Sequence, residues 1–225
     1  MPPTLNLTDA RAVLRADVLG PDEIRAALGS SAGEVPPIPF SREELDTAMR
    51  LGEMLILRVA ASSDGVPLTI LNMCERFPVA FDQKLLRQVG YQLKEEWGIA
   101  IEPLAKTETC KLAWALVRKE VLEDSRNLSF DEQQTCLQQY AAKLGRAGAT
   151  LRRRTAVEAV YDTLLYFRAR QARLLATTWD WCASRTVDGG LLNVGGFGPG
   201  GMQILSFSRG IRHGGLGVCP TRSGA

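Results

Sequence analysis

Residues 179–222 read WDWCASRTVDGGLLNVGGFGPGGMQILSFSRGIRHGGLGVCPTR, and two kinds of position alternate along them. One kind is a sparse frame of Trp179, Trp181, Asn193, Val194, Phe197, Met202, Ile204, Phe207, Leu216 and Val218. Between these lie residues that read as interchangeable: Gly196, Gly198, Gly200, Leu205, Ser206, Ser208, Gly210, Ile211, His213, Gly214 and Gly215. A reaction centre demands particular groups at fixed positions. Apolar anchors holding mostly small, loosely specified side chains suit a display surface instead. Turn signals cut the stretch into short strands around Trp181, Leu191 to Val194, Met202 to Ser208 and Leu216 to Cys219. Asp188-Gly189-Gly190 is the hairpin turn between the first two. Met202 and Ile204 are expected to face one side of their strand, with Leu205 and Phe207 facing the other. Trp179 and Trp181 are read as facing opposite sides, one in the core and one partly exposed.

Upstream, the strongest helix runs from Thr155 to Leu175, with Val157, Val160, Tyr161, Leu164, Leu165 and Phe167 on a wide apolar face. A capping box of Ser129 and Glu132 opens another that runs to about Leu144 before Gly145. Leu112 to Val117, continuing into Arg118 to Leu122, fits a helix or a buried strand equally well by periodicity. Gln83 to Trp97 reads as a helix with Leu86, Val89, Leu93 and Trp97 on one face, and Leu68 to Phe77 as another. Met54 to Val59 fits a buried strand, and Ser63 to Pro67 a turn. A capping box of Ser41 and Glu44 opens a helix ending near Gly52. Ser30 to Pro39 is a linker. Before it, Thr8-Asp9 caps a helix towards Asp17, and Pro21-Asp22-Glu23 begins one that Gly29 ends.

The totals bound the function. The chain has 225 residues, 45% hydrophobic and 23% charged, with mean hydropathy −0.05, values typical of a globular protein with one large core or two modest ones. A net charge of +2 gives no strong nucleic-acid signal. No apolar run approaches the ~20 residues needed to span a bilayer, and the first residues do not resemble a signal peptide. The expected location is therefore cytoplasmic, or, as a family resemblance implies, associated with a phage or other mobile element. Five scattered cysteines form no C-x-x-C pair, which argues for free buried thiols over a zinc site. A pairing of Cys182 with Cys219 is left open. His213 is the single histidine, which removes most histidine-based catalysis.

Two helices followed by a glycine-rich run of short strands with paired tryptophans resemble the second half of a C-type lectin fold. More narrowly, the chain resembles the variable proteins of diversity-generating retroelements with a formylglycine-enzyme-like lectin module. The residues that carry this are Trp114-Ala115-Leu116-Val117, Ser125-Arg126-Asn127, Ala159-Val160-Tyr161-Asp162, Arg173-Leu174-Leu175 and above all 179–222. Within that last span, Ser184-Arg185, Asp188-Gly189, Val194-Gly195-Gly196-Phe197, Gly201-Met202 and Leu216-Gly217-Val218 match best. The resemblance tips the segment near Trp114 towards strand. It implies that error-prone reverse transcription at adenines rewrites asparagine-type codons into Gly, Ser, Leu, Ile or His, the residue types of the interchangeable set. No motif of the calcium-dependent lectins is present, Asp180 and Asp188 stand isolated, and the formylglycine enzyme's catalytic cysteines have no counterpart. No catalytic residue, metal or cofactor is implied.

Other readings weigh less. GGFGPGG at 195–201 lacks the following helix and lysine of a phosphate loop, so its glycines serve backbone geometry. Arg152-Arg153-Arg154 reads as a solvated run, and Arg168, Arg170 and Arg173 as complements to a helix C-terminus. Cys219 with His213 has no orienting group to make a catalytic pair.

The expectation is an α+β chain: helices and linker over 1–39, a small helical or mixed region over 40–109, and a C-type lectin-like domain over 110–225 with its variable region at about 179–222. The ligand-binding residues are the interchangeable set, and the scaffold is Trp179, Trp181, Phe197, Phe207 and Leu216. The expected function is non-enzymatic recognition of an unidentified protein or surface ligand. The alternative is an assembly protein whose terminal sheet mediates self-association.

Overall fold

A computed structural model describes residues 5–31, 33–82, 88–89, 92–93, 99–145 and 150–223. In chain order the elements are α1 (Leu7–Leu14), β1 (Val18–Leu19), α2 (Pro21–Leu28), α3 (Arg42–Leu51), β2 (Glu53–Arg58), α4 (Ile70–Arg76), β3 (Gln88–Val89), β4 (Gln92–Leu93), α5 (Pro103–Thr107), β5 (Ala113–Arg118), α6 (Glu132–Leu144), β6 (Leu151–Arg153), α7 (Ala156–Arg170), β7 (Trp179–Arg185), β8 (Leu191–Gly198), β9 (Gly201–Phe207), β10 (Leu216–Gly217) and β11 (Pro220–Ser223). The fold is α+β. One mixed sheet runs β1-β2-β5-β11-β6 and another β10-β7-β8-β9.

Local chemistry sets most of these elements. Ser41 and Glu44 exchange cap bonds at the start of α3, and Gly52 ends it in the left-handed conformation. Thr155 and Glu158 do the same for α7. Ser129 and Glu132 form their box one turn ahead of α6. The ambiguous segment near Trp114 is strand β5, in register with all of β2. Two helix ends differ from expectation. Asn6, not Thr8-Asp9, caps α1, because its side chain accepts the Asp9 N–H at 2.9 Å. α7 stops at Arg170, not Leu175, because Gln171 turns left-handed and Leu174 and Leu175 fold back into the core. The helix expected over 83–97 lies mostly outside the described residues. Where the backbone is described, Gln88–Val89 pairs with Gln92–Leu93 as two short strands.

α7 explains the layering. It packs against β1 and β2 of one sheet, β7 and β8 of the other, and α2 and α4. Every residue from Ala156 to Leu165 is accordingly buried. The main core runs from Ala10 to Cys219, across residue 109, and the five-stranded sheet likewise draws β1 and β2 from one side and β5, β6 and β11 from the other.

Of the arginine run, only Arg152 is solvated. Arg153 and Arg154 are buried. Asp180 is bound through both oxygens: it accepts Arg154 Nε at 2.8 Å and the Cys219 N–H at 2.7 Å. Arg154 also pairs with Asp162 at 3.3 Å, and Asp162 with Arg58 at 2.7 Å, so two guanidiniums share one carboxylate on α7. Arg58, Arg154, Asp162 and Asp180 lie inside the protein because each finds an opposite charge there. At the other end of α7, Arg170 donates to the carbonyls of Ala16 and Val18 at 2.8 and 3.0 Å, and Arg168 to that of Ala27. These bonds tie α7 to the segment between α1 and α2 and to α2 itself.

Candidate functional site

The four-stranded sheet has an inner face against α7 and an outer face. Leu192, Val194, Met202 and Ile204 point inward to the main core. Trp181, Leu191 and Leu216 form a separate outer cluster, edged by Phe130, Trp179 and Phe207. Met202 and Ile204 thus oppose Leu205 and Phe207, as the alternation predicts. The two tryptophans do not face opposite ways. Residues two apart on a strand share a face, and both lie on the outer one. Trp181 is fully buried there and Trp179 half-buried.

The anchors are packed as a frame must be. The Trp181 ring meets Phe130 edge-on at 5.6 Å, and Phe197 meets Phe167 at 4.9 Å. Arg153 lies 4.0 Å over the Phe130 ring and donates to the carbonyls of Phe130 and Trp181 at 2.8 and 3.1 Å. Burial pulls its guanidinium down to about 10, and all of its hydrogen-bond acceptors are neutral oxygens.

The interchangeable set divides by burial. Ser208, Gly210, Ile211, His213 and Gly214 lie exposed on the loop between β9 and β10, and Gly200 is exposed in the turn before β9. Leu205, Ser206 and Gly198 are half-buried. Leu205 faces outward, whereas Ser206 faces the opposite side and joins Asp188, Gly190 and Ser208 around a cavity of about 300 Å³. Two members belong to the frame. Gly196 and Gly215 are buried, and a Cβ on either would stand 2.6 or 2.8 Å from the Trp179 ring. Gly196 is left-handed as well, at φ 54°. Neither can change freely, because Trp179 occupies the space a side chain needs.

Groups outside the loop hold much of its main chain. The Asn127, Phe130 and Trp179 N–H groups donate to the carbonyls of His213, Arg209 and Gly215 at 3.2, 3.2 and 2.8 Å. Arg126 Nε reaches the Gly214 carbonyl at 2.6 Å. Arg209 pairs with Asp131 and Arg212 with Glu132, holding both carboxyls below their ordinary values; for Glu132 the Ser129 N–H is the larger cause. Sequence reasoning missed Phe130, Asp131, Arg209 and Arg212 as supports. The only signal was the break at 125–127 followed by the capping box. His213 has a local task too, accepting the Gly215 N–H at 3.1 Å and meeting Trp179 edge-on at 5.9 Å. Cys219 is fully buried, so the two make no pair. All five cysteines are free and buried, including Cys182.

A groove of about 900 Å³ lies elsewhere, between α6, β6 and the start of α7. Its Arg58 and Arg152 are bound to Glu158 at 2.8 and 2.6 Å. Burial would raise the Glu158 carboxyl, but Arg152 and Arg58 bring it down to about 2. Burial pushes the nearby Cys110 thiol up, away from a reactive thiolate. Among the described residues no group of His, Cys, Asp and Glu could hold a metal, and no helix is long and apolar enough to cross a membrane.

No family model, curated protein or solved structure matches the chain.

Proposed function

We propose that this chain is a non-catalytic recognition protein that displays changeable side chains on a C-type lectin-like scaffold, as the variable product of a diversity-generating retroelement. The observation that carries the reading is the loop at 208–215. Its backbone is fixed by Asn127, Phe130, Trp179 and Arg126, while Ser208, Gly210, Ile211 and Gly214 contribute exposed side chains or space. A loop held through its carbonyls keeps its shape when those side chains change, which lowers the ordering cost of binding. The order of elements over 110–225 is compatible with the scaffold: β5 and β11, its first and last strands, pair antiparallel with α6, α7 and the second sheet between them. Binding then comes from shape and a few polar contacts, with no strong acid or metal involved.

Two measurements test this. The encoding DNA should carry a near-copy of the 179–222 repeat with asparagine-type codons at the changeable positions, beside a reverse transcriptase gene. A library varied at Leu205, Ser208, Gly210, Ile211 and Gly214 should yield folded proteins that select different partners. Absence of the repeat and enzyme, or a library that mostly unfolds, overturns the reading.

The assembly reading draws on β9, which is the edge of its sheet. Part of that edge is covered, since the Asp82 N–H donates to the Met202 carbonyl at 3.0 Å. Light scattering after size exclusion separates the two, because large assemblies favour self-association.

A further inference from the structure

Asn193 lies in the middle of β8 on the outer face, fully buried, with Trp181 and Leu205 as its cross-strand partners. Neither its Oδ1 nor its Nδ2 has a hydrogen-bond partner among the described residues, and the Trp181 Nε1 one strand away has none either. A buried amide left unpaired gives up its hydration for nothing, while a leucine of similar size would suit the apolar row it stands in. Stability does not explain the asparagine. Of the three residues in the row, only Leu205 is partly exposed, and it sits on the edge strand.

We propose that Leu205 closes a polar slot whose fixed floor is Asn193. A small residue at 205 opens the slot to an uncharged group that both donates and accepts, such as a carboxamide or a peptide bond of the partner. Asn193 Nδ2 donates to the carbonyl oxygen of that group, and Oδ1 accepts its N–H. A carboxylate does not fit, because it offers Oδ1 no donor. The large aliphatic side chain at 205 keeps the slot shut. The changeable position therefore selects whether a constant recognition group is used, beyond adding contacts of its own. This inference rests on the display reading only in treating residue 205 as changeable.

The test uses 15N-labelled full chain titrated with acetamide, with acetate as control. In Leu205→Ala the Asn193 side-chain amide signals should move saturably with acetamide and not with acetate. They should stay fixed in the parent, and the response should vanish in Leu205→Ala/Asn193→Leu. In a second arm, Asn193→Leu in the otherwise unchanged chain should raise Tm. Equal responses in parent and Leu205→Ala, no response in either, or one that survives loss of Asn193 overturns the slot. So does a lower Tm in both Asn193→Leu and the smaller Asn193→Val, which would mean the amide holds the fold. Should Leu205→Ala not fold, Leu205→Ser and the melting arm decide the matter. Failure here leaves the display reading standing, since that is judged by the DNA and the library.

Discussion

At the scale of single residues, the distinction that matters is between glycines that leave space and glycines that are required. Gly210 and Gly214 are exposed, and nothing would stand within 4 Å of a Cβ on either. Gly196 and Gly215 look the same in sequence, yet the Trp179 ring fills the volume beside each. Gly214→Ser should therefore change stability by no more than about 0.5 kcal/mol. Gly196→Ala must accept a left-handed residue and a displaced indole, and should cost on the order of 1–3 kcal/mol. Urea unfolding of the two variants beside the parent checks this, and equal losses would remove the distinction. The same logic separates the anchors from the loop: Trp181 is fully buried, whereas Ile211 is 40% exposed.

At the scale of elements, α7 is the member on which both sheets depend, and its first turn is fastened by charge. Glu158 caps its own helix through the Thr155 N–H at 2.9 Å while accepting from Arg152 and Arg58. Its carboxyl is depressed from 4.5 to about 2 in the folded chain. A depressed carboxyl stabilises the fold above its unfolded value, and that contribution disappears as pH falls. The fold should thus lose up to ~3 kcal/mol between about pH 4.5 and pH 2 through this group. Chemical denaturation across that range, in the parent and in Glu158→Gln, measures it. The variant should be weaker at neutral pH and show a shallower acid loss; parallel pH profiles would show that Glu158 is not responsible.

At the scale of the whole molecule, ion pairs cross residue 109, where the lectin resemblance places a domain boundary. Arg222 at the chain's end bonds Glu53 at 2.7 Å, and Tyr140 donates to the same carboxylate at 3.1 Å. Arg154 joins β7 and α7 through Asp180 and Asp162. Burial lowers the Arg154 pKa, but Asp180, Asp162 and the other groups around it together outweigh that, and the guanidinium ends above its ordinary value. Removing one partner strands the other's charge inside the protein. Arg154→Ala should cost about 3–5 kcal/mol, and Arg154→Met with Asp180→Leu should recover part of that. A double-mutant cycle by thermal unfolding gives the coupling, and additive losses would mean that the pair is not a unit.

The legibility of the chain follows from the range of the interactions involved. Capping boxes at Ser41 and Ser129, the hairpin turn at 188–190 and the strand alternation at 202–207 depend on neighbours within a few positions, so the sequence alone determined them. The α+β class was legible for the same reason, but the split between anchors and changeable positions only in part, since Gly196 and Gly215 are buried with the frame. Which glycines Trp179 covers, which arginines are buried and what carboxylates they meet, and how the loop's carbonyls are held depend on residues tens of positions away. Only the tertiary structure decided those, because a long-range contact leaves no periodic trace in the chain that makes it.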